Sequence, residues 1–279
     1  MYASVADKVD ADGAMAGVAL GSLNAYYGAD SANNAKHPEL WVRNAALLPA
    51  QLDELLAHAH APPARVAPVS AYDDPSASEL KRLLDLHGSD KASRHSYHRV
   101  YATLLSRLGA PRAPLRLLEI GLGSNDPAVL STMGAGGRPG ASVRAFRDFL
   151  PHAAIFGADV DAASLLADEP RIRTHLVDQF ERRSFDAMHA AFGAHEAYDL
   201  IIDDGLHAIG PNLNTLLWAL AHVRPGGYVV IEDIGPGKLP HWRVVDALLR
   251  HRGAALETAI VDTEPQKMYV VHVTSAAAA

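Results

Sequence analysis

Two short stretches concentrate the side chains that could do chemistry. Ile201-Ile202-Asp203-Asp204-Gly205-Leu206-His207 and Val229-Val230-Ile231-Glu232-Asp233 both run from aliphatic residues straight into acids, and the first adds an imidazole three residues after Asp204. Apolar runs of this length suit strands, and adjacent strands lie ~4.8 Å apart. If the two strands are neighbours, Asp204, Glu232 and Asp233 meet around one hard divalent cation. Oxygen ligands without thiolate favour Mg²⁺, then Mn²⁺ or Ca²⁺. Consecutive strand residues face opposite ways, so Glu232 and Asp233 share an ion only if the strand ends there, and Gly235-Pro236-Gly237 reads as that end. A cation so placed acidifies and orients an alcohol, and His207 is the candidate base for its proton. The plain alternatives are solvated loop carboxylates and a surface histidine, one of fifteen.

A second group suits a nucleoside. Leu115-Arg116-Leu117-Leu118-Glu119-Ile120 leads into Gly121-Leu122-Gly123, where two glycines let the backbone approach a ligand and Glu119 suits a cationic group. The run 154–159 ends at Asp159, with Asp161 two residues on, where a carboxylate accepts ribose hydroxyls; 172–177 ends at Asp178-Gln179, placed to accept from an adenine amino group. Position 126 is Asp rather than the third glycine of a dinucleotide fingerprint, and Asp159 lies far beyond the ~20 residues that fingerprint allows. The mismatch disfavours NAD and favours S-adenosylmethionine, whose sulfonium methyl an activated hydroxyl attacks.

These positions need a frame. Strand-like runs at 115–120, 154–159, 172–177, 198–203, 227–231, 256–261 and 268–273 alternate with helical stretches. The pattern predicts an α/β fold: a doubly wound, mostly parallel, seven-stranded Rossmann-like sheet covered on both faces, binding ligands at its carboxyl end. The last two strands form an edge hairpin across Thr263-Glu264-Pro265-Gln266. Helices are expected over 79–87, closed by Gly88, and 96–108, closed by Gly109, then over 143–150, 213–222 and 242–251. Residues 1–77 read as an alanine-rich helical appendage and linker, with Leu47, Leu48, Leu52, Leu55 and Leu56 at helical spacing, serving as lid or oligomerisation surface. Residues 78–279 form the cofactor-binding domain. Trp41, Tyr26 and Tyr27 read as helix packing, and His58 and His60 as exposed. His95, Tyr97 and Tyr101 line either the substrate pocket or a packed helix face.

Composition narrows the classes further. The 279 residues carry a formal net charge of −7, which disfavours a general nucleic-acid or anionic-membrane surface. The absence of cysteine excludes disulfides, thiolate metal sites and cysteine nucleophiles. No run approaches the ~18 apolar residues of a membrane helix, and Met1-Tyr2-Ala3-Ser4 opens no signal peptide, so the cytoplasm is the expected compartment.

Residues 115–234 resemble the metal-dependent class I O-methyltransferases of macrolide-sugar biosynthesis, the mycinamicin and tylosin type. The resemblance rests on Leu118-Glu119-Ile120-Gly121, Gly140-Ala141-Ser142-Val143-Arg144, Phe156-Gly157-Ala158-Asp159, Arg171-Ile172-Arg173-Thr174 with Asp178-Gln179, Ile202-Asp203-Asp204-Gly205-Leu206-His207, and Val223-Arg224-Pro225-Gly226-Gly227 through Asp233. Upstream, Gly88-Ser89-Asp90-Lys91 with His95 and Tyr97 looks like the segment that precedes the core in that family. The resemblance implies a methyltransferase domain, a cation on Asp204, Glu232 and Asp233, His207 as base, and cofactor contacts at Glu119, Gly121, Ser142, Asp159, Asp178 and Gln179. Gly123 and Asp203 join that cofactor set, and His95 and Tyr97 the substrate side. The acceptor it implies is a hydroxylated small molecule of antibiotic biosynthesis. Leu206 stands where the family usually has Ser, and Gly235-Pro236-Gly237-Lys238-Leu239-Pro240 replaces an aromatic-rich loop. Three other uses of the same residues stay open on sequence alone: methyl transfer without a cation, a cyclisation or elimination with the cofactor held structurally, and a non-catalytic binding subunit.

Overall fold

The apolar run Arg116–Ile120 (β2) sits inside an eight-stranded sheet in the computed structural model, which describes residues 66–193, 196–250 and 255–274. On one side β2 pairs in parallel with Ala154–Asp159 (β3), and β3 with Ile172–Leu176 (β4). On the other it pairs in parallel with Tyr198–Asp203 (β5), and β5 with Val223–Ile234 (β6). Beyond β6 come Lys267–Val273 (β8) and Leu256–Asp262 (β7), both antiparallel pairings, and Val66–Pro68 (β1) runs parallel to β7 at the rim. The chain winds outward in both directions from β2, so the winding reverses between β2 and β5, and a crevice opens at their carboxyl ends. The expected helices around Trp41, His58 and His60 lie outside the described residues.

Several details depart from what the sequence predicts. The eighth strand is β1, three residues inside the stretch read as linker; its Pro68 is tolerated because the strand is at the rim. The β7–β8 hairpin forms as expected but does not make the edge, since β1 pairs along the outer side of β7.

Strand alternation decides which acid faces which layer. Leu117, Ile155, Leu200, Ile202 and Val230 pack under Ala77–His87 (α1), Tyr97–Arg107 (α3) and Ala141–Phe149 (α4), with the short Asp90–Ser93 (α2) between α1 and α3. Leu118, Phe156, Ile201, Val229 and Ile231 pack under Arg182–Gly193 (α5), Ile209–His222 (α6) and Leu239–Arg250 (α7). Period two therefore puts Glu119 and Glu232 on the α1–α4 side and Asp203 on the α6 side. Helix α5 is missing from the sequence reading, although its buried Phe185, Met188 and Phe192 recur at helical spacing. Gly88, at φ +83°, ends α1, and Gly109, at φ +92°, follows α3, as the sequence predicts. Among the described residues no helix is long and apolar enough to cross a membrane.

The end of β6 needs its own account. The strand does not stop before the Glu232-Asp233 pair but runs to Ile234. A bulge between Ile231 and Ile234 in the pairing with β8, and a left-handed Asp233 at φ +56°, turn both carboxylates toward the crevice. Aspartate tolerates this conformation better than most side chains. Behind it Lys238, buried, donates from Nζ to the Asp233 carbonyl at 3.2 Å.

Two stability measurements test this framework. Phe146 is fully buried and meets Tyr101 edge-on at 5.4 Å between ring centroids, so Phe146→Ala costs about 3–5 kcal/mol in urea unfolding. Burial draws the Lys238 ammonium down to about 8 from its ordinary 10.5. Between those values the unfolded chain holds a proton that the folded chain has released, so stability rises with pH there. Urea titrations from about pH 7.5 to about pH 10 should show wild type gaining roughly 2–3 kcal/mol relative to Lys238→Met.

Candidate functional site

The crevice is a cleft of about 610 Å³, large enough for a nucleoside-sized ligand with part of a second molecule. Two walls meet at one backbone contact. Gly121, at φ +101°, lies so close to the segment after β5 that a Cβ on it would stand 2.1 Å from the Asp204 carbonyl oxygen. The glycine turn after β2 and the acidic turn after β5 are thus pressed together, and only a residue without a side chain fits between them.

On the acidic wall, Asp204, Glu232 and Asp233 all line the cleft, with His207 beside them. Asp204, His207 and Asp233 each bring one ligand atom, all within 4.8 Å of one another, a fair donor set for a divalent ion. His207 Nε2 stands 3.4 Å from Asp233 Oδ2 and 3.9 Å from Asp204 Oδ1, while its Nδ1 is buried without a hydrogen-bond partner. Asp233 Oδ1 accepts from the Tyr97 hydroxyl at 2.5 Å. Burial disfavours the Asp233 carboxylate, yet the nearby His207 and the Tyr97 hydrogen bond hold it below the usual range. Glu232 is turned inward: its Oε1 accepts from the Tyr101 hydroxyl and its Oε2 from Lys91 Nζ at 2.6 Å.

Lys91 is the unassigned centre of this wall. In sequence it stands out only as the last residue of Gly88-Ser89-Asp90-Lys91. Its ammonium, 2% exposed, reaches Asp204 Oδ2 at 2.5 Å, Glu232 Oε2 at 2.6 Å and Glu119 Oε1 at 3.1 Å. Burial opposes its charge, but those three carboxylates outweigh it and raise its pKa well above the ordinary value. No local pattern announces the role, because the partners lie on or just after three strands far along the chain.

On the nucleoside wall the expected residues gather, with their side chains divided between two duties. Asp178, Ser142, Asp159, Gly121 and Gly123 line the cleft. Asp159 Oδ2 accepts from the amides of Leu122 and Gly123 at 2.8 and 3.0 Å, so this carboxylate also shapes the glycine turn. Glu119 does not line the cleft; it accepts from Ser142 Oγ at 2.6 Å and faces Lys91, which is the cationic group it meets. Asp203, fully buried on the α6 side, accepts from Gln179 Nε2 at 2.9 Å and Asn212 Nδ2 at 3.0 Å. Gln179 also accepts from the Leu206 amide at 2.7 Å. Asp203 and the Gln179 side chain, expected as cofactor contacts, brace the turn that carries Asp204 and His207, and Gln179 also lines the cleft. His95 stacks on Tyr97 at 4.7 Å, and both line the cleft on the acidic side.

No protein-family model matches the chain. It is 37% identical over 121 residues to mycinamicin VI 2''-O-methyltransferase of Micromonospora griseorubida, covering 43% of this chain and 27% of that one. It is 32% identical over 168 residues to a tetracenomycin-C rhamnosyl 3'-O-methyltransferase of Streptomyces olivaceus, covering 58% and 38%. The chain thus spans well under half the length of the curated relatives it matches. Among solved structures, the MycE methyltransferase of mycinamycin biosynthesis, in complex with Mg and SAH, superposes with a TM-score of 0.56 at 23% identity, over 73% of this chain and 55% of that one. The chain has the class I S-adenosylmethionine-dependent methyltransferase fold, and over the aligned residues it is homologous to O-methyltransferases of glycosylated natural products.

Proposed function

We propose that this protein transfers a methyl group from S-adenosylmethionine to a hydroxyl of a small, glycosylated natural product, assisted by a divalent cation. The observation that carries the reading is the Gly121–Asp204 contact, which makes a nucleoside-sized cleft and an acid–imidazole cluster two walls of one space. The relatives' names support the acceptor class. We assign residues 1–77 to covering the cleft or to self-association, and the enzyme to the cytoplasm, where the methyl donor is made.

In this reading the acceptor oxygen attacks the sulfonium methyl in line. The carbon–oxygen bond forms as the carbon–sulfur bond breaks, and the sulfur leaves as the neutral thioether of S-adenosylhomocysteine. The hydroxyl proton passes to His207 Nε2, whose new charge Asp233 Oδ2 balances from 3.4 Å. Asp204, Glu232 and Asp233 would hold a divalent cation, whose charge would acidify and orient the hydroxyl. One observation favours a second reading: Lys91 already places a cation on Asp204 and Glu232, so His207 acts with no divalent ion at all.

The experiment is methyl-labelled S-adenosylmethionine offered with glycosylated macrolides and rhamnosylated polyketides. Label should enter the acceptor, fall at least about a hundredfold with EDTA, and return with Mg²⁺. EDTA-resistant transfer selects the second reading; a changed product without label sinks both. In Gly121→Ala, displacement of the Asp204 carbonyl should weaken S-adenosylhomocysteine and Mn²⁺ binding together, each at least about tenfold by calorimetry.

A further inference from the structure

A buried ammonium held by three carboxylates is an arrangement that side-chain packing alone does not require. Leaving water is costly for every member of the cluster, and only tight mutual pairing offsets it. Lys91 meets that condition from α2, with Glu119 on β2, Asp204 after β5 and Glu232 on β6. Each partner has a second anchor: Glu119 holds Ser142 Oγ, Glu232 holds the Tyr101 hydroxyl, and Asp204 is pinned at its carbonyl by Gly121. Lys91 therefore joins the wall that lines the nucleoside end to the wall that holds the acids. Its Nζ lies on Asp204 Oδ2 and Glu232 Oε2, oxygens of two of the acids expected to hold a divalent ion.

We propose that Lys91 is a positioning residue serving as a second, built-in cation of the site: it holds Asp204 and Glu232 against Glu119 and sets how tightly a divalent ion binds beside it. The inference rests on the cation-assisted reading above. It gives Lys91 two measurable effects of opposite sign. Its positive charge repels the incoming ion, so its removal tightens metal binding. Its hydrogen bonds fix the carboxylates, so its removal misplaces the ion and slows turnover.

Calorimetric Mn²⁺ titration of the S-adenosylhomocysteine complex separates the possibilities. Lys91→Met should bind Mn²⁺ at least about tenfold tighter than wild type, because one positive charge a few ångströms away has gone, while kcat falls at least about a hundredfold. Lys91→Arg, which keeps the charge, should stay within about threefold of wild type for Mn²⁺. Weaker or unchanged Mn²⁺ binding in Lys91→Met overturns the inference, since loosened structure alone would lower affinity. If Lys91→Met does not fold, the wild-type ammonium is observed directly: the side-chain ¹H–¹⁵N resonance of Lys91, assigned with Lys91→Arg, should move on Mg²⁺ titration with the dissociation constant of the ion, and an unmoved resonance overturns the inference. Wild type that binds no Mn²⁺ sinks the cation-assisted reading itself, whereas normal wild-type binding with an unaltered Lys91→Met sinks this inference alone.

Discussion

The ends of β2, β5 and β6 crowd Glu119, Asp204, Glu232 and Asp233 into one corner, and like charges so close repel strongly when water is excluded. The surrounding structure answers that repulsion. Helix α2 delivers the Lys91 ammonium, and α3 delivers the Tyr97 and Tyr101 hydroxyls to Asp233 and Glu232. Helix α3 is in turn packed on α4 through Tyr101 and Phe146. The helices before β2 are therefore part of the acidic wall, and the sheet without them would leave buried carboxylates unpaired.

Much of this was legible from residue order because the fold expresses itself in short-range patterns. Tyr198–Asp203 reads as a strand from its aliphatic run, and Gly88 and Gly109 mark helix ends through their left-handed backbone. The grouping of Asp204, His207, Glu232 and Asp233 follows from two strand ends and one crossover. What was not legible depends on side-chain direction and on distant partners. Asp203 and Asp204 are adjacent in sequence but belong to opposite faces, so one braces α6 and the other joins the site. Gln179 lines the cleft, while its side chain donates to Asp203 and accepts from the Leu206 amide. Strand β1 escapes because three residues ending in proline carry no periodicity.

The acidic pair on β6 shows a local rule kept by an unexpected route. Alternation forbids neighbouring residues from facing one way, and chain termination is the simplest exemption. The molecule uses a bulge and a left-handed aspartate instead, which keeps β6 in the sheet to Ile234 and holds the carboxylates on a firm strand rather than on a loop. A ligand-binding group on such a strand is held with less freedom than one on an irregular segment.

That bulge is made against β8, the last strand along the chain to be described. Residues 223–234 precede 267–273 in the chain, yet the bulge that holds Asp233 forms only against the later segment. A chain ending before that segment would contain every acidic group and lack the bulge. The final geometry of the cleft thus depends on a hairpin placed in the interior of the sheet as well as on the reactive residues themselves.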